Sequence, residues 1–259
     1  MDKDALLKMA ENPDFISGIY NYCDRWCERC AFTRRCMVFA MEEKEPSRQE
    51  CPDMRNREFW NGIDAMFKLT MELVQDLAKE RGIDLNAVDQ KGAMEEHMEK
   101  RRRAENHPLA REAKQYATMV KEWLNLHEAL FREKEEALRN ELELGIAEPE
   151  VTAAELIDAV EVIRWYQYQI AVKLMRSLGG REPAEGMEEF PPDSDGSAKI
   201  ALIGIDRSIG AWGSLRRHLP DASDDILNIL VHLGKLKAAT ERHFPHARWF
   251  VRPGFDQEI

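Results

Sequence analysis

The stretch 159–175, "AVEVIRWYQYQIAVKLM", decides the fold class. It is apolar on nearly every face, holds no Gly or Pro, and is too long for one strand. Such a segment is a helix buried in the middle of other helices. Thr152 and Glu155, three residues apart, form a capping box ahead of it and predict its start. Gly179-Gly180 follows its end.

Helical signals continue outward on both sides. Upstream, Pro108 opens the longest predicted helix, 108–144. Leu109, Ala113, Tyr116, Val120, Trp123, His127 and Leu130 form a heptad-like seam there, and Gly145 is the stop. Before it, 86–105 is polar, runs into "EKRRRAENH" (99–107), and reads as an exposed helix. A further helix is expected over 56–81, where Phe59, Ile63, Met66, Phe67, Thr70, Leu73, Val74 and Leu77 keep three–four spacing, with Gly82 ending it. Asn12-Pro13-Asp14 predicts a helix carrying Phe15, Ile19 and Tyr22, and another runs from about Thr33 to Pro46. Downstream, 181–197 is Gly-, Pro- and Glu-rich and reads as a flexible loop. Helices are expected over 198–218 and from a cap at Asp221 or Ser223 to His243, before an irregular tail. No βαβ alternation, period-two strand or internal repeat appears. The expectation is an all-α multi-helix bundle with an N-terminal cysteine-rich metal-binding module. Residues 1–55 form that module, 56–180 the bundle core, 181–197 the loop, and 198–259 complete the same bundle.

Composition narrows the function classes. The 259 residues carry a net charge of −11, which argues against general nucleic-acid binding. No run of 18 apolar residues occurs, so no membrane span is expected. The start "MDKDALLKMAENPDF" has no apolar signal core, and the cytoplasm is the expected compartment. In that compartment thiols stay reduced, and clustered cysteines bind metal more often than they pair.

Four of the five cysteines fall within "CDRWCERCAFTRRC", 23–36, spaced Cys23-x3-Cys27-x2-Cys30-x5-Cys36. Positions 23, 27 and 30 share a face if the segment is helical, or the helix breaks to wrap a metal, with Cys36 returning from the next element. Four thiolates suit a [4Fe–4S] cluster or a tetrahedral zinc. Arg25, Arg29, Arg34 and Arg35 are expected to favour thiolate, and Tyr22, Trp26 and Phe32 to exclude water. Cys51 is an alternative to Cys36, or a structural or free thiol. The C-x3-C-x2-C portion resembles the radical-SAM motif but has Arg29 where that family has an aromatic residue, and no barrel strands follow. The portion C-x2-C-x5-C is similar to the end of the iron–sulfur loop of helix-hairpin-helix DNA glycosylases, with a shorter first gap. These resemblances imply that compact cysteine sets of this kind suit iron–sulfur clusters. Buried core cysteines are the bland alternative.

Other chemistry has less support. None of the seven histidines has Glu three residues before it, which excludes the paired Glu-x-x-His of di-metal bundles. No nucleophile elbow, P-loop or G-x-G-x-x-G is present. Glu161, Arg164 and Asp206 lie in apolar helices and imply a salt-bridge network or a polar pocket, with His127, Tyr166, Gln167 and Tyr168 available to orient a ligand. His243 and His246 flank Phe244-Pro245 in an expected exposed turn. Arg248 and Arg252, with Trp249 and Phe250, are read as docking the tail. The expected function is a four-cysteine metal protein, structural or electron-transferring, with an unidentified protein or redox partner. The alternatives are a zinc-stabilised interaction module and an enzyme built on the Glu161 pocket.

Overall fold

A computed structural model describes residues 3–43, 57–85, 87, 89–146, 148–180 and 193–256. All regular structure among them is helical: α1 (Lys3–Ala10), α2 (Met37–Glu43), α3 (Arg57–Glu80), α4 (Gln90–Asn106), α5 (Pro108–Leu126), α6 (Glu128–Glu143), α7 (Pro149–Leu178), α8 (Asp193–His218) and α9 (Ser223–His243). No helix among the described residues is long and apolar enough to cross a membrane. The chain divides into two units. One is built from residues up to His97 together with those from Arg252 onward, and the other spans Met98–Val251. This grouping places α3 and the end of the chain with the cysteine segment, where the sequence reading assigns both to the bundle. The division falls within α4.

In the larger unit, α7 is the central helix expected from its sequence. It packs most extensively on α8, and α5 and α9 complete the bundle. Trp212, Tyr116, Tyr166, Ile163 and Leu174 are fully buried at the centre. Each contributes on the order of 1.5–3 kcal/mol of transfer free energy or more. Gly204 lets the two central helices approach: a Cβ there would lie 2.8 Å from Tyr166 Cδ1. Two polar contacts fix the register of the core. The Gln167 amide donates to the Ala117 carbonyl at 2.8 Å, and the Trp212 indole donates to the Tyr116 hydroxyl at 3.2 Å.

Several boundaries differ from expectation. The predicted 108–144 helix is two helices, broken at His127. The ring of His127 and its own amide both bond the Trp123 carbonyl, at 2.9 and 3.0 Å, so the last turn of α5 is closed off by a side chain. Helix α7 starts at Pro149, ahead of the Thr152–Glu155 pair, because a proline at N1 is already set for a helix. Helix α8 starts at Asp193. Residues 193–197 are therefore helical rather than loop, and the Arg176 guanidinium grips Asp193 from the end of α7 at 3.0 and 3.3 Å. The remainder of the expected loop, 181–192 with Pro191-Pro192, lies outside the described residues. Neither Asp221 nor Ser223 caps α9. Asp221 sits in a 3-10 turn, and the Ser223 hydroxyl accepts from Arg216 at 2.9 Å. The glycine stops are where expected. Gly82 and Gly145 have φ of +66° and +63°, and the next residue's amide reaches back to Ala78 O and Glu141 O, closing both ends with Schellman turns.

In the smaller unit, Lys3 of α1 pairs with Asp76 of α3. The apolar face predicted for α3 is only partly covered: Leu69 and Ala78 are buried, whereas Phe67, Val74 and Leu77 are exposed. The helix expected from Asn12-Pro13-Asp14 is absent. Asn12 Oδ1 accepts from the Asp14 amide at 2.9 Å, an Asx turn that competes with helix initiation. Residues 11–36 instead run through three short 3-10 turns, Ile19–Tyr22, Cys27–Arg29 and Thr33–Arg35.

Candidate metal centre

Those three turns place the cysteines. Cys23 follows the first turn, Cys27 opens the second and Cys30 closes it, and Cys36 closes the third just before α2. The Cys30 amide returns to Cys27 O and the Cys36 amide to Thr33 O, both at 3.1 Å. Asp24 Oδ1 accepts from the Trp26 amide at 3.3 Å, and Arg25 takes a φ of +58°. The backbone between Cys23 and Cys27 is thus a turn. The two sequence-level options, one helix face or a broken helix, resolve in favour of the break.

All four thiols line one small pocket. Ile19, Trp26 and Phe39 form apolar walls, and Phe255, from the far end of the chain, forms another. None of the four is in a disulfide, and each is neither fully buried nor fully exposed. The Phe32 amide donates to Cys30 Sγ at 3.4 Å, and Cys23 Sγ donates to Tyr20 O at 3.5 Å. Amide hydrogen bonds to sulfur are a lever that tunes thiolate-bound metals.

The electrostatics differ from the sequence expectation. Burial, then Glu42, then the negative forms of Cys23, Cys30 and Cys36, push the Cys27 thiol up to about 11. Arg25 lines the pocket, but three of the four arginines have partners other than the thiols. Arg29 lies over the Trp26 ring at 4.1 Å, Arg25 is 4.0 Å from Glu42, and Arg35 donates to the Asp14 carbonyl at 3.4 Å. Without a bound cation, four thiolates in this pocket repel one another. Among the described residues, no group of three or more His, Cys, Asp or Glu side chains is drawn together closely enough to hold a metal ion. The thiols ring a pocket without converging on a point. Cys51 lies outside the described residues.

In the second candidate site, Glu161, Arg164 and Tyr168 are exposed on α7. Asp206 is held by Lys237 at 2.8 Å and Arg248 at 2.6 Å, and Arg248 also binds Glu241 at 2.8 Å. Burial pushes the Asp206 carboxyl up, but hydrogen bonds from Arg248 and Lys237 outweigh it and hold it below the usual carboxylate range. His127 belongs to a different cluster, stacked on Trp123 at 4.4 Å with its Nε2 3.4 Å from Asp225. Tyr166 binds Arg207, and Gln167 is used by Ala117 O. Of the four residues, Asp206 thus belongs to a salt-bridge network with Lys237 and Arg248, one of the two expected arrangements, Glu161 and Arg164 are exposed, and His127 caps a helix end. The docking reading of the tail holds for Arg248 and Phe250, with Lys199 Nζ donating to Phe250 O at 2.6 Å. Arg252 instead pairs with Asp256. The basic run pairs along its own helix, Arg102 and Arg103 both to Glu99. His243 meets His107 ring to ring at 4.7 Å. A further apolar groove of about 490 Å³ runs between α6 and α7, and neither histidine nor cysteine lines it.

Phe39, Glu42 and Phe255 are site residues that sequence reading did not find. The first two lie on α2, close enough in sequence to be suspected. Phe255 had only the Pro253-Gly254 turn signal beside it, with nothing to show which part of the chain it meets. No family model, curated protein or solved structure matches this chain.

Proposed function

We propose that this protein holds a metal centre on Cys23, Cys27, Cys30 and Cys36, and that the centre is a [4Fe–4S] cluster. One observation carries the reading: four cysteines distributed over three short turns line a single, apolar-walled pocket. A zinc ion with bonds of about 2.3 Å would gather four sulfurs to within about 3.8 Å of each other. A cubane takes one thiolate on each of its irons and spaces its ligands more widely. The pocket as it stands, about 20 Å³, has room for little more than a water molecule, so a cubane would have to spread the thiols. The choice of a cluster rests on the compact cysteine spacing, which lacks the paired knuckles usual for zinc.

Bound cations reverse the local proton balance, since a coordinating thiol is held deprotonated. The crowding that raises the Cys27 pKa in the metal-free chain then becomes ligand charge for the iron. Four protein ligands leave no open coordination position, so the centre stabilises its unit or carries electrons rather than activating a substrate. An electron-transfer role requires a redox partner protein. The test is elemental analysis, inorganic sulfide assay and visible absorbance on protein purified without oxygen. Iron with sulfide and a broad brown absorbance is the expected result. One zinc per chain without colour moves the function to a zinc-stabilised interaction module. Neither metal, with all thiols titrating freely in folded protein, refutes the site.

A further inference from the structure

The pocket is completed by residues more than two hundred positions away. Residues 252–256 form a clasp closed on itself. The Arg252 amide and Nε both donate to Asp256 Oδ2 at 3.0 Å, and Nη2 donates to Oδ1 at 2.8 Å. The Phe255 and Asp256 amides return to Arg252 O at 3.2 Å. The Arg252 guanidinium lies over the Phe255 ring at 4.7 Å. The two side chains of the ion pair are 17% and 23% exposed, so this pair is better shielded than a typical surface pair and holds the turn's shape.

The clasp is seated on the cysteine segment. Gly254 has a φ of +75°, and a Cβ there would lie 2.8 Å from Ile16 Cδ1 and 3.1 Å from Ile19 Cδ1. Only glycine combines that backbone with that approach. Phe255 then reaches the pocket wall and meets Phe32 edge-on at 5.1 Å.

We propose that residues 252–256 are a cover for the thiol pocket, with Phe255 as the wall that closes it to water, small electrophiles and metal exchange. The clasp carries its own hydrogen bonds, so it lifts as a body without leaving its ion pair unmade. The cover concerns the same pocket as the metal reading and would govern how readily a centre there is loaded or lost.

Iodoacetamide alkylation of the metal-free, reduced full chain tests it, with each cysteine followed by peptide mass spectrometry. Phe255→Ala is expected to speed alkylation of the pocket cysteines severalfold. Phe255→Leu, which keeps apolar bulk, should restore most of the protection. Gly254→Ala should lift the clasp and match Phe255→Ala. Trp249→Ala, at a side chain 83% exposed, is the control and should react as wild type. Helical circular dichroism is recorded for every variant. Wild-type rates in folded Phe255→Ala overturn the proposal. Should that variant lose its helical signal, Gly254→Ala decides: a rate equal to wild type overturns the cover. Metal content is scored separately on untreated protein. A metal-free isolate with Phe255-dependent protection leaves the cover standing and removes the metal reading; a loaded isolate with Phe255-independent reactivity does the reverse.

Discussion

Helix α8 contains a set of glycines that tests the central packing from within. Gly204 faces α7, where an added methyl would sit 2.8 Å from Tyr166 Cδ1 and 3.1 Å from Ile170 Cγ1. Those side chains are 0% and 1% exposed, and the Tyr166 hydroxyl is held by Arg207, so neither can swing away. Gly210 and Gly213 lie in the same helix, with nothing within 4 Å of a built Cβ. Replacing glycine by alanine in a helix interior gains about 0.8–1 kcal/mol from backbone propensity. Overpacking a filled core costs about 1–3 kcal/mol. Gly204→Ala should therefore destabilise by up to about 2 kcal/mol net, whereas Gly210→Ala and Gly213→Ala should each stabilise by up to about 1 kcal/mol. The measurement is urea unfolding followed by near-ultraviolet circular dichroism, alongside thermal scans. For a unit of this size, each kcal/mol moves the midpoint by about 2–4 °C. A Gly204→Ala protein as stable as Gly210→Ala would refute the close α7–α8 approach and the packing order built on it.

Other outcomes follow from the sites. Single Cys→Ser changes at 23, 27, 30 or 36 should each sharply lower bound metal in elemental analysis, while Cys51→Ser should leave it unchanged; retained metal in Cys36→Ser and loss in Cys51→Ser would reassign the fourth ligand. In metal-free protein the Cys27 thiol, ordinarily 9.0, is raised to about 11. Its share of folding stability is intact below pH 9 and lost as pH rises through 11. The Cys27 alkylation rate should accordingly climb to half-maximum near pH 11, and a midpoint near 9 would contradict the crowded pocket. Asp206→Asn should weaken the half-exposed Lys237–Asp206–Arg248 network by about 1 kcal/mol, read as faster amide exchange over 244–250. Because the Asp206 pKa is lowered, that contribution is present above its ordinary 3.8 and fades as pH falls through the lowered value. Glu161→Gln and Arg164→Ala, on exposed positions, should change stability by no more than about 0.5 kcal/mol; a large loss at either would revive the buried polar pocket.

The sequence by itself determined the helical class, the centrality of 159–175, the ends at Gly82 and Gly145, and the exposed basic helix. Each rests on a local rule: periodicity, uniform apolarity, a glycine able to adopt positive φ, or charges three and four apart. It also singled out the cysteines, because their density within 23–36 is visible without a structure. Local rules compete where several apply at once, and only tertiary structure decided those cases. Pro13 and Asp14 suit a helix start, but Asn12 and Asp24 bond the backbone as turns, so the thiols sit on 3-10 turns instead of one helix face. The seam through His127 continues in sequence, yet its imidazole takes the Trp123 carbonyl and ends the helix. The pairing of Asp206 with Lys237 and Arg248, and the place of Phe255 in the lining of the cysteine pocket, join residues far apart in the chain. No periodicity encodes such meetings. They follow from which surfaces remain to be covered once the helices and turns have formed.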